Sequence, residues 1–192
     1  MVKTFQETIT GDELQLLPPV EFTGPITVVD TPDQVDEACN YLLGHTAIGF
    51  DTETRPSFSA GKSNKVALLQ LSSSERCFLF RLSRMRLDKA VIKTLEHPGI
   101  VKVGVAVRDD VRALQHLRHF KPGGFVDLQS IVGNYGIREL GLRKMAAIVL
   151  GARISKAQRL SNWEASTLTL PQQIYAATDA WISLEIYKRL LL

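Results

Sequence analysis

Asp51 and Glu53 stand two residues apart at the end of an otherwise apolar run, AIGFDTET. On an extended strand that spacing sends both side chains to one face, about 6–7 Å apart. Carboxylates held so repel each other unless a cation or a basic side chain lies near, or the strand end is solvated. A third acid sits in the last helical stretch. There Asp179, Ile182, Ile186 and Leu190 share a stripe that is apolar but for the aspartate. Tyr175 lies one turn before Asp179 on the same face. A carboxylate in such a stripe needs a partner, which a backbone hydrogen bond could also supply. Asp109 and Asp110 follow the apolar run 101–107 at the head of a helix. An aspartate there can cap the helix, so Asp109 is expected to cap while Asp110 points elsewhere. Acidic positions converging without His or Cys suit Mg²⁺ or Mn²⁺. Such sites bind phosphate oxygens, and a two-metal version suits phosphodiester cleavage.

The elements that would position these groups follow from periodicity. Strands are expected at 26–30, 47–54, 66–72, 76–81, 100–105 and 125–128. Helices are expected at 33–43, 87–97, 109–120, 140–150 and 170–192. Consecutive strands followed by strands alternating with helices imply an α/β fold with a mixed sheet. Residues 1–25, with Pro18, Pro19 and Pro25, read as an irregular arm before one domain at 26–192. Gly49 and Gly104, close to two of the acids, mark either close backbone approach or tight packing.

The chain has 192 residues, 45% of them apolar and 22% charged, which excludes a disordered polymer. Two cysteines are too few for a disulfide scaffold or a thiolate zinc site, and Cys39 and Cys77 read as small core residues. No run is long enough for a membrane helix, and the N-terminus lacks the apolar stretch of a signal peptide. A cytoplasmic protein is the expectation. The net charge of +3 hides an asymmetry, because residues 1–56 hold two basic and ten acidic side chains. The basic remainder hints at a polyanionic partner. Arg138, Arg143, Lys144, Arg153, Lys156 and Arg159 lead into Trp163, a pattern that suits a charged groove with a stacking aromatic. Lys62 sits in an AGKS context that lacks the first glycine of a P-loop. His116 and His119 read as part of a solvated helix face.

FDTE (50–53), VGVAVRDDVRAL (103–114) and YAATDAW (175–181) resemble the three motifs of the DEDD superfamily of 3′–5′ exonucleases. A tyrosine four residues before the last aspartate is similar to the DEDDy branch. The Werner-syndrome-type exonuclease domain and RNase D catalytic domains are the nearest likeness. GKSNKVALLQLSSSERCFLF (61–80) and LSNWEA (160–165) are similar to further family segments. The resemblance implies an RNase H-like (DnaQ-like) fold with a five-stranded mixed sheet of order 3-2-1-4-5, strand 2 antiparallel, and helices on both faces. It implies two divalent cations, Mg²⁺ or Mn²⁺. Asp51, Glu53 and Asp179 would hold the tighter ion, while Asp51, with Asp110 acting through water, would serve the second. Tyr175 would orient the attacking water. Thr52, Lys62, Lys156, Arg159 and Trp163 are the expected substrate contacts. The expected substrates are single-stranded or recessed 3′ ends of DNA or RNA, releasing nucleoside 5′-monophosphates. Thr54-Arg55-Pro56 follows the glutamate without an aromatic contact. A catalytically inactive nucleic-acid scaffold and a dinucleotide hydrolase are the alternatives. The presence of all four acids and the tyrosine weighs against the first.

Overall fold

The computed structural model describes residues 4–56 and 64–192. In chain order the elements are α1 (Gly11–Leu16), β1 (Ile26–Val29), α2 (Pro32–Leu43), β2 (Ala47–Thr54), β3 (Val66–Ser72) and β4 (Cys77–Phe80). Then come α3 (Lys89–Glu96), β5 (Val101–Gly104), α4 (Val107–Leu117), β6 (Phe125–Asp127), α5 (Leu128–Ile131), a 3₁₀ turn (Val132–Tyr135), α6 (Leu142–Leu150) and α7 (Leu170–Leu191).

Six strands form one sheet in the order β1-β4-β3-β2-β5-β6. Among the described strands β3 alone runs against the others. The expected five-strand order is present as β4-β3-β2-β5-β6, and the count is corrected to six. The extra strand is β1, parallel to β4 with Ile26 opposite Cys77 and Val29 opposite Phe80. Main-chain bonds from Cys77 to Pro25 and from Arg81 to Val29 extend that pairing at both ends.

One face of the sheet packs Phe50, Leu71, Phe78 and Phe80 with residues of α2, α3 and α4 such as Leu42, Val91 and Leu114. The opposite face meets α7, whose Ala176, Ala177 and Ala180 are fully buried. Small side chains let this helix lie close to the strands. A Cβ at Gly49 of β2 would overlap the Ala180 carbonyl oxygen, and one at Gly104 would lie 2.6 Å from the Phe50 carbonyl oxygen. Both glycines therefore mark close backbone approach. α7 is long, 22 residues, and opens with Pro171 in its first turn and a reciprocal capping box between Thr169 and Gln172.

The N-terminal arm is not irregular throughout. Thr10 and Glu13 form a capping box at 2.8 and 3.2 Å that starts α1. Ile9 and Leu14 are buried against Ala147 of α6. The prolines lie beyond α1, where they leave its hydrogen bonds intact. Main-chain bonds then fasten the arm, from Phe5 to Tyr135, Arg138 to Glu7 and Val20 to Arg153, at 2.9–3.0 Å. The Phe22 amide donates to Thr178 Oγ1 on α7 at 2.9 Å.

Cys39 and Cys77 are free and buried, and burial pushes their thiols up to about 11 and about 12. His116 and His119 are exposed on and just beyond α4, as expected. Among the described residues no helix is long and apolar enough to cross a membrane.

Candidate active site

β2 carries Asp51 and Glu53 onto the face covered by α7. The close approach at Gly49 brings Asp179 down beside them. Carboxylate oxygens of Asp51, Glu53 and Asp179 lie within 4.8 Å of one another. Among the described residues no Lys or Arg forms an ion pair with any of the three, or with Asp110. Mutual repulsion is therefore uncompensated by protein charge. Burial first, then the Asp179, Glu53 and Asp110 charges, hold Asp51 well above the ordinary carboxylate range. Burial, then Asp179 and Asp110, raise Glu53 to about 8. Burial raises Asp179 to about 7, partly opposed by a hydrogen bond from Tyr175. Such a trio is costly for a protein unless a cation binds there, and three hard oxygens at this spacing fit a divalent ion.

Asp110 comes from the first turn of α4. Burial raises it to about 6, while the Thr52 hydroxyl, which donates to Asp110 Oδ1 at 2.5 Å, pulls the other way. Thr52 sits between the two β2 acids, and its side chain is committed to orienting Asp110. α4 starts earlier than expected, at Val107, with Ala106 in the left-handed region at φ 57°. Asp109 does not cap it. That carboxylate is exposed, 3.8 Å from Arg112. The cap is Asp127 at the end of β6, which accepts from the Ala106 and Val107 amides at 3.2 and 3.0 Å. Asp127 thus sets where α4 begins and hence where Asp110 points. An aspartate closing a short strand was its only sequence signal.

Tyr175 lies one turn before Asp179 on α7. Its phenol is raised far above its ordinary value by burial and then by the Asp179, Glu53 and Asp51 charges. Trp163 does not fit the expected stacking contact, because it is fully buried. It packs behind Tyr175, with ring centroids 6.0 Å apart.

A groove of about 500 Å³ opens on Tyr175 and Asp179, between α1, the head of α6 and the segment holding Lys156 and Arg159. Both of those side chains are exposed and form no ion pair among the described residues. The other basic residues of the expected track have partners of their own, although Arg143 and Lys144 also line this groove. Arg138 pairs with Glu7 at 3.1 Å and Lys144 with Glu139 at 2.8 Å. Arg143 Nε donates to the Ile154 carbonyl and Arg153 Nε to that of Leu17. Lys62 lies outside the described residues.

A family profile described as 3′-5′ exonuclease matches residues 26–192. The mouse bifunctional 3′-5′ exonuclease/ATP-dependent helicase WRN is 34% identical over 196 residues, covering 96% of this chain and 14% of that protein. This chain therefore spans a small part of that relative's length. Trypanosoma brucei RNase D in complex with RNA U12 superposes with a TM-score of 0.77 at 26% identity, over 88% of this chain and 63% of that one. The EXD2 exonuclease domain soaked in Mg and GMP gives a TM-score of 0.51 at 30% identity, over 88% of this chain and 90% of that one. A carboxylate trio on a mixed sheet of this order, within a match covering nearly the whole chain, places the protein in the family of 3′-5′ exonucleases, hydrolases that act on nucleic acids.

Proposed function

We propose that residues 26–192 form a metal-dependent exonuclease domain preceded by an arm at 1–25, whose described residues dock on it. It would hydrolyse the terminal phosphodiester at a nucleic-acid 3′ end and release nucleoside 5′-monophosphates. The observation that carries this reading is the half-buried trio Asp51, Glu53 and Asp179, without an ion pair among the described residues, at the end of a groove bearing Lys156 and Arg159. The trio fits a divalent cation, and Mg²⁺ or Mn²⁺ are the ions its all-oxygen chemistry favours. Two such ions, held by Asp51, Glu53 and Asp179 with Asp110 at the second, would offset charge on the phosphoryl and leaving oxygens and ease loss of a proton from the attacking water.

The protein's own groups supply the rest. Tyr175, its phenol pushed far up, stays protonated and is suited to holding the attacking water rather than taking its proton. Thr52 keeps Asp110 aimed at the site. Lys156 and Arg159 would meet phosphates upstream of the terminal nucleotide, a salt-sensitive and sequence-independent contact. A relative solved with RNA and another soaked in Mg and GMP support a polynucleotide substrate, a magnesium requirement and a nucleoside monophosphate product. Unpaired buried thiols fit a reducing compartment such as the cytoplasm.

The test is a panel of 3′-labelled single-stranded DNA, recessed DNA, RNA and dinucleotides, each with Mg²⁺ and with Mn²⁺. Nucleoside 5′-monophosphates should appear from the 3′ end of one or more strands. Asp51→Ala should abolish the reaction, and Tyr175→Phe should slow it with metal binding retained. Intact strands with both metals would overturn the proposal.

A further inference from the structure

Gln70 on β3 is fully buried, yet neither its Nε2 nor its Oε1 has a hydrogen-bond partner among the described residues. It stands directly opposite Asp51 in the antiparallel β2–β3 register, with Leu79 of β4 on its other side. Residues so opposed share a face and lie about 4.5–5.5 Å apart. The Gln70 side chain therefore enters the layer between the sheet and α7, the layer that holds Asp51. Its neighbours along that face, Leu68 and Leu79, offer no polar side chain. The Ser72 hydroxyl is already committed to the Ser73 carbonyl. A buried amide without a partner is disfavoured against a hydrocarbon of the same shape. Leucine occupies both flanking positions, so volume alone does not call for an amide here.

We propose that Gln70 is a positioning residue for Asp51. Resting on the metal-dependent reading above, the inference is that the Gln70 Nε2 donates to the Asp51 carboxylate in the cation-bound protein. A carboxylate has more lone pairs than one cation would take, and a single fixed donor on its protein side would set its rotation. Groups of this kind change metal affinity by about 10–100-fold when removed.

Gln70→Met and Gln70→Leu in the full chain separate this from a packing role. Removing an unpaired amide should leave the melting temperature of the metal-free protein unchanged or raise it. Mn²⁺ titrated by calorimetry should bind about 10–100-fold more weakly in both variants. Turnover should fall at low Mn²⁺ and recover at saturating Mn²⁺, with KM for the strand unchanged. Mn²⁺ affinity within about two-fold of the parent in both variants overturns the proposal, since it falls below the range for such groups. The buried Trp163 Nε1 also lacks a partner among the described residues. If Gln70 serves that indole instead, the variants melt earlier and bind Mn²⁺ normally, which again overturns the proposal. Should neither variant fold, nuclear magnetic resonance of the parent decides. The Gln70 side-chain NH₂ signals should move downfield and exchange more slowly when Mg²⁺ is added, and signals that stay in place refute the role. A parent that binds no Mn²⁺ counts against the proposed function, whereas equal binding by parent and variants counts against Gln70 alone.

Discussion

Replacing Gly49 by alanine perturbs the spacing between β2 and α7 without touching any acid. The new Cβ would lie 2.6 Å from the Ala180 carbonyl carbon and 3.3 Å from the Trp181 amide nitrogen. Carbon atoms prefer about 3.5–4.0 Å, so the helix must retreat by roughly 1 Å. Both contacts are backbone, and no rotamer change relieves them. Asp179 is the residue before Ala180 and moves with it, away from Asp51 and Glu53. Overpacking of this kind costs about 1–3 kcal/mol. At this chain length that lowers Tm by roughly 2–12 °C, from about 2–4 °C per kcal/mol. The catalytic loss should be larger in proportion, because a 1 Å misplacement can reduce turnover about 100-fold. Initial rates on a 3′-labelled single strand, read beside a calorimetric melt, measure both. Gly133→Ala is the control, since a Cβ there meets nothing within 4 Å. A folded Gly49→Ala protein with parental Tm and parental turnover would show that this helix contact does not set the acid geometry.

The carboxylates give a pH signature. Asp51, Glu53 and Asp179 have native values raised above their unfolded ones, so between about pH 4 and 8 the native state holds more protons than the unfolded state and metal-free stability falls as pH rises. Thermal melts across that range should show the fall, Mg²⁺ should oppose it most at pH 8, and metal-free stability that climbs with pH would refute the assignment. Thr52→Val removes the donor to Asp110 and should cut turnover about 10–100-fold. It should also shift the acid limb of the pH–rate profile upward, because the hydroxyl lowers the Asp110 value, while Thr52→Ser retains both. Ala106→Gly relieves a left-handed alanine and should raise stability by about 1–2 kcal/mol, read as a higher Tm. A lower Tm would mean that the Asp127 cap does not hold the helix head in that conformation.

What the residues disclosed before any fold was known divides along physical lines. Asp51, Glu53, Tyr175 and Asp179 were legible because strand and helix periods place side chains on faces without reference to anything distant. The five-strand core and five helices were legible for the same reason. Trp163 was misread because an aromatic beside basic residues looks alike in a groove and in a core, and only tertiary packing decides which. The basic segment was legible as charge but not as availability, since Glu7 and Glu139 claim Arg138 and Lys144. α1 carried its own signal in Thr10 and Glu13, outweighed by the prolines that follow. Asp127 and Thr52 act through partners 20 to 58 positions away, namely the Ala106 and Val107 amides and Asp110, and no local pattern names such partners.

Tyr175 and Asp179 share one turn of α7, while Asp51 and Glu53 alternate on β2, and the two arrangements differ in their tolerance of changes in chain length. One residue inserted between Tyr175 and Asp179 would turn the aspartate about 100° away from the tyrosine's face. One residue inserted between Asp51 and Glu53 would send the glutamate through the sheet to the opposite layer. Substitutions nearby can be absorbed by repacking, but a frame-preserving insertion of one codon in either place dismantles the constellation outright. In α7 the nearest length change that restores the facing is three or four residues, a whole turn. The site therefore tolerates changes of residue identity near the acids better than changes of length within β2 and α7.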